Sequence, residues 1–350
     1  MKEFYCAITI LLSVLPAASA AAEYNLYFGG AHSHTSFSDG VMTSEIAYDT
    51  ARGQGGCDFW FVTDHYQALG PVEDLPGAPA MKEWDYQLVA KEKKMEEGKF
   101  LSLLGWEWSD GTFGHMNVLF DATEPPPVLM TGYFDRFVAH WLKKHPDAVT
   151  GFNHPDWSAG RGLNNFRDFE FIPRIAKQVV YMEVSFLEEP PFFYRALDKG
   201  WWIAPLAAQD NHGPDWCLRP ELTAVYATAL TEDALREAFL ARRFYATLER
   251  DLVISFKGNG EMMGSRVTGK KADLEIAVTH EKGKVPKLVR LVSNGGEVLK
   301  EWKPEGSEFR AAWEADVAEG STRWFVVYTE MESSEPKFSI SAPIWVKNKI

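Results

Sequence analysis

Six of the nine histidines fall in tight groups with carboxylates. His32-Ser33-His34 is followed by Asp39, and Asp64 adjoins His65. Glu107 lies in Gly105-Trp106-Glu107-Trp108, and His115 follows Gly114. His154 sits in Asn153-His154-Pro155, and Asp210-Asn211-His212 completes the set. Residues i and i+2 of an extended segment point to one side, so His32 and His34 can grip one ion, and Asp210 and His212 can face one cavity. Imidazole suits Zn, Fe or Mn, and carboxylates can bridge two ions. Six imidazoles and at least three carboxylates exceed the needs of one tetrahedral ion, so two or three divalent ions are expected.

Short apolar runs must position these groups. Tyr24–Ala31, Cys57–Thr63, Phe100–Trp106, Met116–Phe120, Val149–Asn153, Val179–Phe186 and Trp202–Ala208 read as buried strands. Helical patterns at Thr43–Arg52, Met81–Glu97, Gly132–Lys144 and Pro190–Lys199 separate several of them. This alternation predicts an α/β fold with a mostly parallel sheet and helical crossovers. Seven strands suffice for a barrel, whose sites lie at the C-terminal strand ends. Every group except His115 sits where an apolar run stops. From Phe244 onward the helix signal gives way to short alternating runs: Leu252–Phe256, Ala272–Val278, Lys287–Leu291, Phe309–Trp313, Trp324–Thr329 and Ser339–Val346. Gly/Asn turns separate these runs and predict a small all-β sandwich. The expected division is 1–22, 23–243 and 244–350, the last two packed together.

The four motifs His32-Ser33-His34 with Asp39-Gly40, Thr63-Asp64-His65, Asn153-His154-Pro155 and Asp210-Asn211-His212 resemble those of the PHP (polymerase and histidinol phosphatase) superfamily. Glu107 and His115 match two further ligands, and the resemblance covers about residues 26–249. It implies a distorted (β/α)7 barrel carrying two or three ions. His32, His34, Glu107 and Asp210 would hold one; Glu107 would bridge to a second held by His115 and His154; Asp39, His65 and His212 would hold a third. Asp39 stands where some members carry His. The tail, with Phe244-Tyr245-Ala246-Thr247 and Met263-Gly264-Ser265, looks like the exported branch that includes carbaryl hydrolase.

The chemistry expected of such a centre is hydrolysis by a metal-bound hydroxide, since coordination lowers the pKa of water to about 7. The resemblance implies phosphomonoesters or phosphodiesters, and carboxylester, carbamate or amide bonds are the alternative. Asp64 is expected to orient a ligand imidazole or its neighbour. Arg161 and Arg219 are the nearest cations to receive phosphate, although each also reads as an ordinary loop arginine. Trp106, Trp108, Trp157 and Trp216 lie close to ligands and read either as an apolar pocket wall or as core. A third possibility, from another class, is a metal-stabilised binding module. His140, His145 and His280 lie outside the groups.

Composition bounds the partners. The 350 residues carry 36 Lys plus Arg against 49 Asp plus Glu, a net charge of -13, which disfavours nucleic-acid duplexes and anionic membranes. Met1-Lys2, the apolar run Phe4–Leu15 and Ala18-Ser19-Ala20-Ala21-Ala22 read as a secretory signal peptide. The expectation is a periplasmic or extracellular protein acting on a small molecule, without stable membrane insertion. Cys6 would leave with the signal. Three cysteines are too few for a disulfide scaffold, and Cys217 reads as a buried packing residue.

Overall fold

A computed structural model of the protein describes residues 23–66, 82–121, 123, 134–155, 164–333 and 337–349. The signal-peptide segment, Arg161, Trp157 and the side chain of His140 lie outside the described residues.

Nine strands build the part of the molecule that carries the histidine groups. They are β1 (Asn25–Gly30), β2 (Phe59–Val62), β3 (Leu101–Asp110), β4 (Gly114–Leu119), β5 (Val149–Phe152), β6 (Val179–Glu183), β7 (Ala204–Leu206), β8 (Leu222–Ala227) and β9 (Phe244–Thr247). Their ladder order is β9-β8-β1-β2-β3-β4-β5-β6-β7. Pairs β1/β2, β2/β3, β5/β6 and β6/β7 are parallel. Pairs β3/β4, β4/β5, β1/β8 and β8/β9 are antiparallel. The expected mostly parallel sheet is therefore a mixed one. The reason is local: only Gly111-Thr112-Phe113 separates β3 from β4, far too short for a helical crossover, so the chain turns back as a hairpin.

Helices α1 (Ser44–Gly53), α2 (Glu83–Lys94), α3 (Pro190–Asp198) and α4 (Glu232–Leu240) pack around the sheet, while Phe134–Leu142 begins as α-helix and continues as π-helix. Strand β8 and helix α4 were not expected from the sequence. Both sheet faces are covered: Trp60 and Val62 of β2 join one apolar cluster, Phe59 and Phe61 the other. That is why these strands read as continuous apolar runs. The sheet curls far enough for Thr223 Oγ1 on β8 to donate to Ala207 O just beyond β7, at 2.9 Å. No backbone ladder joins β7 to β8 or β9 among the described residues.

Beyond β9 the described chain is strand, turn and loop, with a single 3-10 turn at Asn294–Gly296. β9 pairs with β8 on one side and with Lys337–Ser341 on the other, so one ladder continues into this region. A separate four-stranded sheet comprises Glu261–Met262, Leu252–Gly258, Lys271–His280 and Glu308–Asp316. The single strand expected over Ser339–Val346 is two, Lys337–Ser341 and Ile344–Lys347, because Pro343 has no N–H to donate to a ladder. No helix is long and apolar enough to cross a membrane, among the described residues.

Candidate metal centre

The histidine groups meet because the strand ends that carry them are stitched side by side. After β1, His34 N–H donates to Asn211 O (2.8 Å) and Ser33 O accepts from Thr63 N–H (2.8 Å). After β2, Asp64 O accepts from Glu107 N–H (3.0 Å). Asn153 N–H, beyond β5, donates to His115 O (3.0 Å). Glu107 does not sit at a strand tip; it lies inside β3, opposite Asn117 and on the diagonal from His115 in the β3/β4 hairpin. Diagonal residues of an antiparallel pair share a face, so the hairpin delivers both side chains to one side. Gly105 permits the hairpin, since a Cβ there would meet Val118 O at 2.4 Å.

Nine donor residues converge. Asp210 Oδ1 lies 3.2 Å from His32 Nε2 and 3.0 Å from His34 Nε2. Glu107 Oε1 faces His32 Nε2 at 3.4 Å, His115 Nδ1 at 3.2 Å and His154 Nε2 at 3.5 Å. Its Oε2 lies 2.8 Å from His65 Nδ1 and 3.6 Å from His34 Nε2. Asp39 Oδ1 is 3.7 Å from His34 Nδ1, 3.6 Å from His65 Nε2 and 3.2 Å from His212 Nε2. The donor atoms form three compact groups: His32, His34 and Asp210; Glu107, His115 and His154; and His34, Asp39, His65 and His212. His34 presents one ring nitrogen to Asp210 and the other to Asp39, and so joins two groups rather than one.

These separations fit ions. Donors about 2.0–2.1 Å from a tetrahedral centre stand about 3.3 Å from one another. Two imidazole nitrogens, His32 Nε2 and His34 Nε2, face each other at 3.1 Å. Glu107 Oε2 and Asp210 Oδ1 are buried without a hydrogen bond in good geometry. Buried carboxylate oxygens left this way are costly unless a cation satisfies them. The donor set of nitrogen and carboxylate oxygen suits divalent transition ions.

A layer of buried groups holds the donors. Glu183 Oε1 accepts from His32 Nδ1–H (2.7 Å), which turns Nε2 toward the centre, and its Oε2 accepts from His154 N–H (2.8 Å). Asn153 Nδ2 donates to Glu107 Oε1 (2.8 Å). Asp64 touches no ligand imidazole. It accepts from Thr35 N–H (2.7 Å), Thr35 Oγ1 (2.6 Å), Ser38 Oγ (2.5 Å) and Gln87 Nε2 (3.0 Å), while Ser38 Oγ lies 3.2 Å from His34 Nδ1. It therefore clamps the loop that carries His34. Glu183 escaped the sequence reading, because a single carboxylate in Val179–Glu183 has no partner in sequence. Its signal is a charged residue in an otherwise apolar strand.

Two donors sit on unusual backbone. His154 and Asp210 have φ of 27° and 45°. Non-glycine residues in this region are strained, a feature concentrated at functional sites. Asp210 is thus not extended, yet its Oδ1 and His212 Nδ1 lie 3.8 Å apart, so both face the centre: Asp210 joins His32 and His34, while His212 joins Asp39.

The charges are strongly coupled. Burial disfavours the His32 cation, yet Asp210, Glu183 and Glu107 outweigh it and raise its pKa well above the usual value. Burial likewise opposes, and Glu107 overcomes, for His65 and His154, both raised. Burial would lift Glu107 and Asp210, but the surrounding imidazoles hold both low. The centre attracts positive charge, which protons or metal can supply.

Beside it opens a cavity of about 360 Å3, lined by His154, Glu183, Phe186, Glu188, Asp210 and Arg219 among others. Arg219 lies at this opening, with Nε donating to Asp215 Oδ2 (2.6 Å) and Nη1 to Gln209 O (3.0 Å). Burial pushes the Glu189 carboxyl, also in the lining, up to about 8. Trp106, Trp108 and Trp216 are fully buried core residues and form no pocket wall. Trp216 Nε1 donates to His34 O (3.3 Å). Cys217 is not a free packing residue; it forms a disulfide with Cys57. The two lie 160 residues apart, and sequence spacing carries no sign of such a bond. A fourth acidic group, Glu249, Asp251 and His280, is compensated by lysines: Lys337 and Lys284 reach Glu249 at 3.1 and 3.6 Å, and Lys282 reaches Asp251 at 3.0 Å.

No protein-family model matches the chain. An uncharacterized protein of Chlamydia pneumoniae is 30% identical over 142 residues, covering 36% of this chain and 23% of that protein. The chain thus spans about a quarter of that relative's length. Among solved structures, a two-domain protein of Bacteroides vulgatus, described as containing a predicted PHP-like metal-dependent phosphoesterase, is 18% identical, with a TM-score of 0.49 over 91% of this chain and 95% of that one. PsfC of Pseudomonas syringae is 14% identical, with a TM-score of 0.39 over 62% of this chain and 88% of its own.

Proposed function

We propose that the protein is an exported metal-dependent hydrolase of the PHP type that cleaves phosphoester bonds. One observation carries this reading: nine donors from six separate chain segments face one another at 2.8–3.7 Å around buried carboxylate oxygens left without a hydrogen bond in good geometry. Two or three divalent ions (Zn, Mn or Fe), which His32, His34, Asp39, His65, Glu107, His115, His154, Asp210 and His212 would hold, would supply a water of lowered pKa and Lewis-acid charge. The chain's own residues do the rest. Glu107 spans the groups and fixes their spacing. Glu183 and Asp64 hold His32 and the His34 loop, so the donors meet substrate without rearrangement. Arg219, aimed by Asp215, offers N–H groups to an anionic ester oxygen at the cavity mouth.

The acyl and carbamate alternative drew on a wall of tryptophans. Of its four members, Trp106, Trp108 and Trp216 are core and Trp157 lies outside the described residues, which favours phosphoester cleavage. The binding-module alternative has no use for a carboxylate shared among the groups. Export is supported by the Cys57–Cys217 bridge, which persists in oxidising compartments.

The test combines metal counting with turnover. Elemental analysis and anomalous scattering should find two or three ions per chain. Nitrophenyl phosphates, phosphodiesters, acetates and carbamates should then be assayed with Mn, Zn or Fe. His154→Ala should lose metal and activity together. Turnover of acyl substrates alone, or full metal content in that variant, would overturn the reading.

A further inference from the structure

The cavity beside the centre is uneven in its chemistry. Most of its charged lining groups are already engaged. Glu183 is bound to His32 and to His154 N–H, and Asp210 Oδ1 faces the Nε2 atoms of His32 and His34. Glu189 accepts from the N–H groups of Ser185 and Phe186, and Arg219 is paired with Asp215. Besides Arg219, two side chains of the same lining face solvent. Phe186 is 58% exposed, an unusual state for an aromatic residue. Glu188 is exposed and makes no hydrogen bond or ion pair among the described residues. Both follow directly from β6, whose last residue, Glu183, positions two of the donors.

A free carboxylate and an exposed aromatic ring in the lining of one cavity are the chemistry that recognises ammonium groups. The aromatic quadrupole and the carboxylate both attract a cation, and the ring excludes water from its methyl or methylene groups. We propose that Phe186 and Glu188 form a subsite for a quaternary or protonated amine. The substrate would then be a phosphodiester, one of whose alcohols carries that cation. This rests on the hydrolase reading above. Water adds to phosphorus, the bond to one ester oxygen breaks, and the released alcohol keeps that oxygen and takes a proton. The subsite would select which alcohol the diester carries.

Three 4-nitrophenyl phosphodiesters test this on the metal-loaded protein. Their second alcohols are 2-(trimethylammonio)ethanol, its neutral isostere 3,3-dimethylbutanol, and anionic 4-hydroxybutanoate. In the unmodified protein kcat/KM should favour the cationic ester over the isostere by about tenfold, the size of one cation–π contact plus a partly exposed ion pair. Glu188→Gln and Phe186→Ala should each reduce that ratio several-fold, and Glu188→Lys should make the anionic ester preferred. Equal turnover of the cationic and neutral esters, or a ratio unmoved by Glu188→Lys, would overturn the subsite. Calorimetric titration with the same three esters separates the two readings. Cation-selective binding that Glu188→Gln abolishes would uphold the subsite even without turnover, which would count against the hydrolase. Equal affinities would sink the subsite even where the esters are cleaved.

Discussion

His34 shows how much one side chain is asked to do. Its Nε2 faces Asp210, its Nδ1 faces Asp39 and Ser38, and its backbone carbonyl accepts from Trp216. Asp64 acts on it only through Ser38 and Thr35. Asp64→Asn should therefore keep most of the metal while lowering kcat by about ten- to a hundredfold, the usual loss when a group behind a ligand is changed. Metal content and turnover measured on one preparation check this, and unchanged turnover would refute it. The same scale gives a pH dependence. His32, His65 and His154 are raised, so their contribution to stability is complete below about pH 6.5 and is lost as pH rises through the raised values. Glu107 and Asp210 are lowered, so theirs is present above about pH 4.5 and lost as pH falls through the folded values. The chelated protein should have its highest thermal midpoint between about pH 4.5 and 6.5 and lose stability toward pH 8. Added metal should restore the midpoint at pH 8, where it replaces the departed protons. A chelated midpoint that climbs from pH 6 to pH 8 would refute the coupling.

At the scale of elements, the β3/β4 hairpin decides whether a carboxylate shared by the groups exists at all. It places Glu107 and His115 on one face and brings β4 against β5, so that Asn153 can reach Glu107. Gly105→Val would drive a branched side chain into Val118 O and Leu119. We expect a loss of about 1–3 kcal/mol from the strain of overpacking, read as a lower urea midpoint at unchanged slope. Metal binding should weaken with it, and full stability would argue against the close approach. The hairpin was only partly legible. Both strands stood out as apolar runs, but the antiparallel turn hides in a short link whose Gly111-Thr112-Phe113 is no stock turn signature. Strand β8 and helix α4 were missed although both carry local signals, the apolar run Leu222–Ala227 and the Thr231 cap ahead of Leu235, Ala238 and Phe239.

Across the whole molecule, the Cys57–Cys217 bond ties the approach to β2 to the loop that follows His212, its Cα atoms 6.3 Å apart. Arg250, from the β-rich region, adds a contact at the same point, with Nη1 donating to Gly55 O (2.7 Å). Replacing both cysteines by serine should cost about 2–5 kcal/mol, since closing so long a loop restricts the unfolded chain. Denaturant unfolding with and without reductant checks this; identical midpoints would show the bridge to be idle. The β-rich region is joined to the rest through β9, so one of its two sheets shares a ladder with the strands of the metal centre while the four-stranded sheet stands apart.

The sequence alone determined the candidate donors and their short-range clusters, because imidazole and carboxylate chemistry depends on residue type and short spacing; which clusters would share an ion was only what the resemblance implied. It also determined the alternation of buried strand with helix, because apolar periodicity is a local property. Only the tertiary structure decided which nitrogen of His34 faces which carboxylate, that Glu183 stands behind His32, that the tryptophans are core, and that two cysteines 160 residues apart are joined. Those facts depend on distances between segments far apart in the chain. Such distances are set by how the sheet curls and where the β3/β4 hairpin turns, and neither leaves a local mark.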